Sequence, residues 1–235
     1  MAGFAAGIVE RDRILPKVDS VHVGDVLIGL PSEGAHSNGF SLIHKIMHHN
    51  DLEYSDKADF SGFNRTYGDE FLSPTKIYVK ALKPLFQANR IKAAAHITGG
   101  GLLENIPRVL PKHLAVTIDA KSIRVSPMFA WLADKGKVDF TEILRTFNSG
   151  LGMVIVVDAS NVDACMEALK FEHHASVIGN VVERGKQTLP QVDVKHFDVV
   201  INNTIKMIAK PKRRIGVVIS GNGSNLQALI DAIFA

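Results

Sequence analysis

Short, strand-like apolar stretches alternate with helix-like ones along residues 26–182, and this alternation is the strongest constraint on the fold. Runs rich in Val, Ile and Ala predict strands at 26–30, 93–97, 115–119, 153–157 and 176–182. Helical spacing of apolar residues, or helix start signals, predict helices at 40–47, 73–85, 102–110, 127–134, 139–147 and 161–170. Strands and helices that follow one another in this way are typical of an α/β fold, in which helices cover a sheet.

Composition narrows the class of protein. Of the 235 residues, 46% are hydrophobic and 22% are charged, as expected of a globular chain. Because Cys165 is the only cysteine, an internal disulfide and a cysteine-built zinc site are excluded. No apolar run approaches the ~20 residues of a membrane span, and a net charge of +3 is too small to indicate a nucleic-acid partner. We therefore expect a cytoplasmic protein with neither a membrane nor a nucleic-acid partner.

Three loops share one pattern, in which a strand runs into a segment rich in Gly, Ser, Thr or Asn and that segment opens a helix. They lie at 31–39, 96–101 and 220–225. Glycine lets the backbone approach a phosphate closely, and the free N–H groups of a helix start point toward it. A tight turn with a helix cap explains any one loop equally well. Three such loops in one chain favour phosphorylated ligands.

The candidate phosphate-binding residues of the first two loops are Ser37, Asn38, Gly39, Thr98, Gly99, Gly100 and Gly101. Asn105 and Arg108 follow in the first helical turns after the second loop, where an arginine can clamp a phosphate with two hydrogen bonds. A surface ion pair is the alternative for Arg108. The loops match neither the G-x-x-x-x-G-K-[ST] nor the G-x-G-x-x-G pattern, so neither a P-loop enzyme nor a dehydrogenase is indicated.

His36 is the candidate for proton transfer. It lies between small residues in the first loop, and an ordinary imidazole titrates near ~6.5, which suits proton transfer at neutral pH. The alternative is a hydrogen bond from His36 that only shapes the loop, and the sequence leaves both open. His96 is expected to be a buried core histidine. His44 and His48 lie four residues apart but have no evident third ligand, so we predict no metal site.

Further segments stand apart from the alternating pattern. Residues 50–70 are polar and rich in Asp, Ser, Gly and Asn, which predicts a long loop. Basic residues crowd 203–214 and predict a solvated linker. The strand at 215–219 and helix at 226–233 that follow cannot bury both of their faces alone, so they are expected to begin another domain. The apolar start at 1–9 lacks a basic leader, and we expect a buried strand there instead of a signal peptide.

Four segments of the chain resemble aminoimidazole ribonucleotide synthetase, which is phosphoribosylformylglycinamidine cyclo-ligase, and they occur in that family's order. They are GDVLIGLPSEGAHSNGFSL at 24–42, SPTKIYV at 73–79, HITGGGLLENIPRVL at 96–110 and RTFNSGLGM at 145–153. The segment RRIGVVISGNGSNLQALID at 213–231 resembles the opening of glycinamide ribonucleotide formyltransferase. The two in this order resemble the trifunctional purine-biosynthesis proteins of animals.

The resemblance implies a layered α/β/α domain with a mixed sheet at 13–203, preceded at 1–12 by the last strand of a missing N-terminal domain. It also implies a basic linker at 204–214 and, at 215–235, an incomplete, Rossmann-like start of the formyltransferase domain. The phosphate loop of that start would consist of Gly223, Ser224 and Asn225.

The implied reaction belongs to de novo purine synthesis. ATP activates the formyl amide oxygen of formylglycinamidine ribonucleotide, a nitrogen closes the ring, and phosphate leaves. The family implies ATP and Mg²⁺, with magnesium ligands in the missing N-terminal half, and a homodimer of the complete enzyme. His36 would be catalytic, and the loops would bind the small phosphorylated substrates. The alternative is a non-catalytic, truncated form that binds a phosphorylated ligand or associates with the full-length enzyme.

Overall fold

The computed structural model describes residues 3–4, 6–172, 174–186 and 188–209. The strands in this part of the chain are β1 (Val26–Pro31), β2 (Ile91–His96), β3 (Leu114–Asp119), β4 (Leu151–Val157), β5 (Ser176–Glu183) and β6 (Val192–Lys195). The α-helices are α1 (Phe40–His49), α2 (Tyr67–Phe71), α3 (Val79–Gln87), α4 (Gly101–Asn105), α5 (Pro127–Gly136), α6 (Phe140–Thr146), α7 (Val162–Ala168) and α8 (Phe197–Ile208).

The strands of the described residues form one mixed sheet in the order β2-β4-β1-β5-β3-β6. Strands β3 and β6 pair in parallel and all the other pairs are antiparallel, so the predicted α/β fold with a mixed sheet is confirmed. Because β4 runs antiparallel to both β1 and β2, the ends of β1 and β2 and the beginning of β4 lie at the same edge of the sheet. Pro31 is paired with Leu151 there, and His96 with Met153.

Helices cover both faces of the sheet, so the domain has the three predicted layers. Leu27 of β1 belongs to a larger core with α1, α5, α6 and α8, whereas its neighbour Ile28 belongs to a smaller core with α3 and α7. Adjacent strand residues point to opposite faces, which explains this division. Cys165 is buried in the smaller core, and burial raises the pKa of its thiol. Within the described ranges, no helix is long and apolar enough to cross a membrane.

The start of the chain differs from the prediction. The described residues of 1–12 contain no strand; Arg11–Arg13 form a 3₁₀ turn, and Ile8 and Val9 are exposed. The buried strand expected at 1–9 is therefore wrong for these residues. A strand needs a neighbouring strand for its backbone hydrogen bonds, and the described part of the chain provides none here. The assignment of 1–12 to another domain stays a prediction.

Residues 50–70 form a loop that is folded upon itself. A capping box at Thr66 begins α2 within this loop. Phe60 and Tyr67 are buried and pack against Trp131 of α5, with ring centroids 5.3 and 5.0 Å from the indole. These aromatic contacts fix a segment whose polar composition predicted only a long loop.

Helix α3 begins at Val79 and not at Ser73. The preceding residues are held in a non-helical form because the Lys76 amide and the Tyr78 hydroxyl bind to the loop after β1. Pro84 lies inside α3, and the helix ends three residues later. The end of the helix so soon after Pro84 fits the general rule that a proline inside a helix kinks or ends it.

Helix α8 runs from Phe197 to Ile208, so the predicted beginning of the linker at 204 falls inside a helix. The residues of the linker from 210 onward and the formyltransferase-like start at 215–235 lie outside the described residues. The predicted phosphate loop at Gly223, Ser224 and Asn225 lies outside them as well.

An ion cluster with one buried member, Asp25, ties the beginning of β1 to β2 and to the end of β4. Lys92 Nζ lies 2.6 Å from Asp25 Oδ1 and 3.1 Å from Asp158 Oδ2, and Asp25 is 4% exposed. Burial lowers the pKa of Lys92, but the hydrogen bonds to the two carboxylates outweigh it, and the pKa is raised. Hydrogen bonds from Ser160, and then Lys92, lower the pKa of Asp158 to about 2. The ammonium is therefore the charged partner of the buried Asp25 side chain.

Lys92→Ala is expected to lower the free energy of unfolding by about 1–3 kcal/mol, because it leaves a buried carboxylate without its charged partner. Urea unfolding followed by circular dichroism measures this. Lys170→Ala is the control, since it removes an exposed pair with Glu167 and is expected to change stability by less than ~0.5 kcal/mol. Equal losses in the two variants would contradict the role of Lys92.

Candidate functional site

Three segments meet at one edge of the sheet: the first loop (31–39), the second loop (96–101) and the β4 turn (147–151). They come together because β1 and β2 end, and β4 begins, at this edge. The first two segments hold all the phosphate-binding residues predicted in the loops before the helices. The topology of the sheet therefore assembles the candidate site from distant parts of the sequence.

Direct contacts join the three segments. The Ser32 amide donates to the Gly150 carbonyl at 2.9 Å, which ties the first loop to the β4 turn. A Cβ atom added at Gly99 would lie 3.1 Å from Asn38 Oδ1, so the first and second loops also touch. Ser37 is exposed beside them. The side chains and amides at 37–38 and 98–99 thus lie in one place, as a phosphate site requires.

Two of the predicted glycines serve close packing. Gly39 has a φ of +81°, and a Cβ there would lie 2.1 Å from Phe147 Cε1. Gly101 has a φ of +55°, and its Cβ would lie 2.0 Å from the Leu144 carbonyl oxygen. Both loops therefore rest on the connection between α6 and β4 in a way that only glycine permits.

Asn105 holds the second loop in its conformation through side-chain hydrogen bonds. It is buried, and its Nδ2 donates to the carbonyls of Thr98 (3.3 Å), Gly99 (3.2 Å) and Gly101 (2.9 Å). Its Oδ1 accepts from the Thr98 hydroxyl at 3.3 Å and from Arg108 Nη1 at 3.1 Å. Asn105 is thus engaged in shaping the loop, while Arg108 is exposed at its rim.

Asn148 plays the corresponding part for the first loop, which it holds through side-chain hydrogen bonds. The sequence analysis does not include it among the site residues. It is buried; its Oδ1 accepts from the Ser32 hydroxyl at 2.7 Å and from the Gly150 amide at 3.0 Å. Its Nδ2 donates to the Gly34 carbonyl at 2.9 Å. The position of Asn148 in the segment RTFNSGLGM is the sequence signal for it, but its partners in the first loop, Ser32 and Gly34, are more than a hundred residues away.

His36 is buried in the first loop, with 6% of its surface exposed and a backbone φ of +57°. Nε2 accepts the Glu33 amide at 3.2 Å and lies 3.5 Å from the Lys76 amide nitrogen. The neutral ring therefore carries its proton on Nδ1, which is buried without a hydrogen-bond partner among the described residues. Burial first, and then the charges of His96 and Lys76, lower the pKa of His36 to about 4.

The sequence leaves two roles open for His36: proton transfer, and a hydrogen bond that only shapes the first loop. The hydrogen bond that shapes the loop is present. A group with a pKa of about 4 is neutral at pH 7 and accepts a proton poorly there. The hydrogen bond from Glu33 and the lowered pKa of His36 therefore favour the loop-shaping role over proton transfer.

His96 differs from its prediction, because it is exposed at the end of β2 and is not a core residue. His96 is the last residue of β2, a strand at the side of the sheet, and its ring lies 6.5 Å from the ring of His36. His44 lies elsewhere, on α1, where its ring contacts the hydroxyl of Tyr54. The described residues contain no group of three or more His, Cys, Asp and Glu side chains that could hold a metal ion.

Gly101→Ala is expected to destabilise the domain by more than ~1 kcal/mol, because alanine is strained at positive φ and its Cβ would overlap the Leu144 carbonyl. Thermal unfolding of the purified chain measures the loss. Gly62→Ala is the control, since a Cβ there meets nothing within 4 Å. Similar midpoints for both variants would show that the packing of the second loop does not limit stability.

Comparison with known proteins identifies relatives of the whole chain. The Trifunctional purine biosynthetic protein adenosine-3 of Drosophila pseudoobscura pseudoobscura is 54% identical over 235 residues, which cover 99% of this chain and 17% of that protein. The protein of the same name from Homo sapiens is 43% identical over 244 residues, which cover 99% of this chain and 24% of that protein. The chain therefore spans about a sixth to a quarter of the length of these curated relatives.

One solved structure and one family profile also match this chain. Thiamine-monophosphate kinase from Stenotrophomonas maltophilia K279a is 18% identical and matches with a TM-score of 0.51, over 80% of this chain and 54% of that one. That likeness concerns the fold alone. The profile described as AIR synthase related protein, C-terminal domain, matches residues 22–190, which is more than half of the chain. By this match, the chain belongs to the family of AIR synthase related proteins and contains their C-terminal domain.

Proposed function

We propose that this chain carries the C-terminal part of a site for an ATP-dependent ring closure in de novo purine synthesis. The reaction would convert formylglycinamidine ribonucleotide into aminoimidazole ribonucleotide. The observation that carries the proposal is the meeting of the first loop, the second loop and the β4 turn at one sheet edge. Each of them lies in a segment that resembles the cyclo-ligase, and the relatives are named as purine biosynthetic proteins.

The chain's contribution is to hold phosphorylated substrates. Exposed Ser37 and Gly99, with their partly buried chain neighbours Asn38 and Thr98, offer backbone N–H groups and side-chain donors to phosphate oxygens. Arg108 at the rim adds a positive charge. ATP would supply the phosphoryl group that activates the formyl oxygen, and donors fixed in advance stabilise the charge that builds up on the transferred group.

The magnesium ion that the family resemblance implies has no evident site among the described residues. Mg²⁺ prefers carboxylate oxygens and water in an octahedral arrangement, and the described residues offer no cluster of three or more His, Cys, Asp and Glu side chains. These residues do not fit a magnesium site of their own, and we assign them no step through the metal. The homodimer of the complete enzyme and its location in the cytoplasm stay predictions.

A chimera tests the proposed function. We expect the Drosophila pseudoobscura relative to keep ring closure when its matching segment is replaced by this chain, because the two segments are 54% identical over 235 residues. Formation of aminoimidazole ribonucleotide and of ADP is measured in the chimera and in the 235-residue chain alone. A folded chimera without ring closure would overturn the proposal. Turnover by the chain alone would overturn the claim that it carries only part of the site.

Two substitutions in the chimera separate the roles of His36. His36→Gln keeps an acceptor for the Glu33 amide but cannot titrate, whereas His36→Ala removes the acceptor. If the ring shapes the loop, Gln retains kcat within about tenfold, and Ala raises the KM for ATP and substrate by about tenfold or more. Proton transfer predicts instead a loss of kcat of about 10²-fold or more in both variants. His113→Ala, at an exposed position far along the chain, is the control and should leave both constants unchanged.

A further inference from the structure

Tyr78 of the smaller core contacts the candidate site, although the proposed function gives it no role. Its side chain is 5% exposed, and its hydroxyl donates to the Pro31 carbonyl, at the beginning of the first loop, at 2.8 Å. Its ring centroid is 6.5 Å from that of His36 and 6.1 Å from that of His96. The tyrosine thus contacts the first loop directly and packs near both its histidine and the end of β2.

Gly152 of β4 is what leaves room for the hydroxyl of Tyr78. A Cβ at Gly152 would lie 1.8 Å from Tyr78 Oη and 2.8 Å from His36 Cε1. No side-chain rotation moves a Cβ, so any residue larger than glycine would displace the tyrosine hydroxyl or the imidazole. The Tyr78 hydroxyl and the His36 imidazole therefore occupy the space that a side chain at position 152 would take, and the three residues are closely packed together.

The segment around Tyr78 binds the first loop at further points. The Lys76 amide lies 3.5 Å from His36 Nε2, and the Thr75 hydroxyl lies 3.4 Å from the hydroxyl of Ser37. Ser37 is one of the predicted phosphate-binding residues. Tyr78 makes the shortest of these contacts and is the most deeply buried of the side chains in segment 73–78. The non-helical form of this segment is thus coupled to the shape of the phosphate loop.

We propose that Tyr78 is a positioning residue for the reaction of this site: its hydroxyl, seated over Gly152, fixes the first loop in the form in which residues 37–39 bind the phosphate of a substrate. The tyrosine does not touch the reacting atoms; it acts through Pro31 and His36. This inference rests on the proposed function, because it names what holds that same site in shape.

Tyr78→Phe removes only the hydroxyl and keeps the ring. In the chimera, the KM for formylglycinamidine ribonucleotide is expected to rise about tenfold while kcat changes less, since a carbonyl of the loop loses its buried partner. In the 235-residue chain, the NMR titration of the His36 ring is expected to move toward the ordinary histidine value, because the loosened loop admits water. Tyr54→Phe is the control; that hydroxyl contacts His44 on α1, and neither readout should change.

A double-mutant cycle keeps the test independent of overall stability. Gly152→Ala alone is expected to impair substrate binding strongly, and less so when Tyr78→Phe has already removed the atom that the new Cβ would overlap. Additive effects on KM would overturn the positioning role. An active wild-type chimera in which Tyr78→Phe changes neither KM nor the His36 titration would overturn it as well. A folded wild-type chimera without activity would overturn the proposed function, and with it the role of Tyr78 in the reaction. A shifted His36 titration in the Tyr78→Phe chain would still show that the hydroxyl shapes the loop.

Discussion

The position of β4 between β1 and β2, antiparallel to both, is the constraint on which the rest of the site depends. It brings the ends of two strands and the start of the third to one edge, although β1 and β4 are separated by more than a hundred residues. The register matters as much as the order. A slip of one residue would turn Gly152 to the opposite face and place a side chain against Tyr78. Pairing of the strands therefore decides both where the loops meet and whether they fit.

Buried amide side chains then fix the loops that the strands bring together. Asn105 binds three carbonyls of the second loop, and Asn148 joins the first loop to the β4 turn. A buried polar group left without its partner costs about 1–3 kcal/mol, so departures from these loop conformations are unfavourable. Donors held in place before a ligand arrives avoid the entropy cost of ordering them on binding. The same side-chain hydrogen bonds that stabilise the loops would thus also serve the proposed recognition of phosphate.

Local sequence signals predicted most of the secondary structure. Helix α5 begins at Pro127, after the cap at Ser126, and β4 contains the whole apolar run predicted at 153–157. Strand β6 was missed because its four residues gain their form from pairing with β3, about 75 residues earlier in the chain. Helix α8 was missed although Phe197 and Ile201 lie at helical spacing, so a closer reading of periodicity would have found it. The irregular start of the chain was mispredicted because apolar composition alone says nothing about an available partner strand.

The location of the candidate site could be predicted from the glycine-rich loops, but the roles of its residues could not. Tyr78 and Pro31 are 47 positions apart, and no local pattern encodes their hydrogen bond. The role of His36 could not be predicted either, because a histidine can act as a general base or can shape a loop through a hydrogen bond. Its pKa of about 4 arises from desolvation where separate segments close over it, together with the nearby His96 and Lys76. The packing that brings the first and second loops together is therefore also what removes His36 from water, and a variant that opens the first loop has to change both properties together.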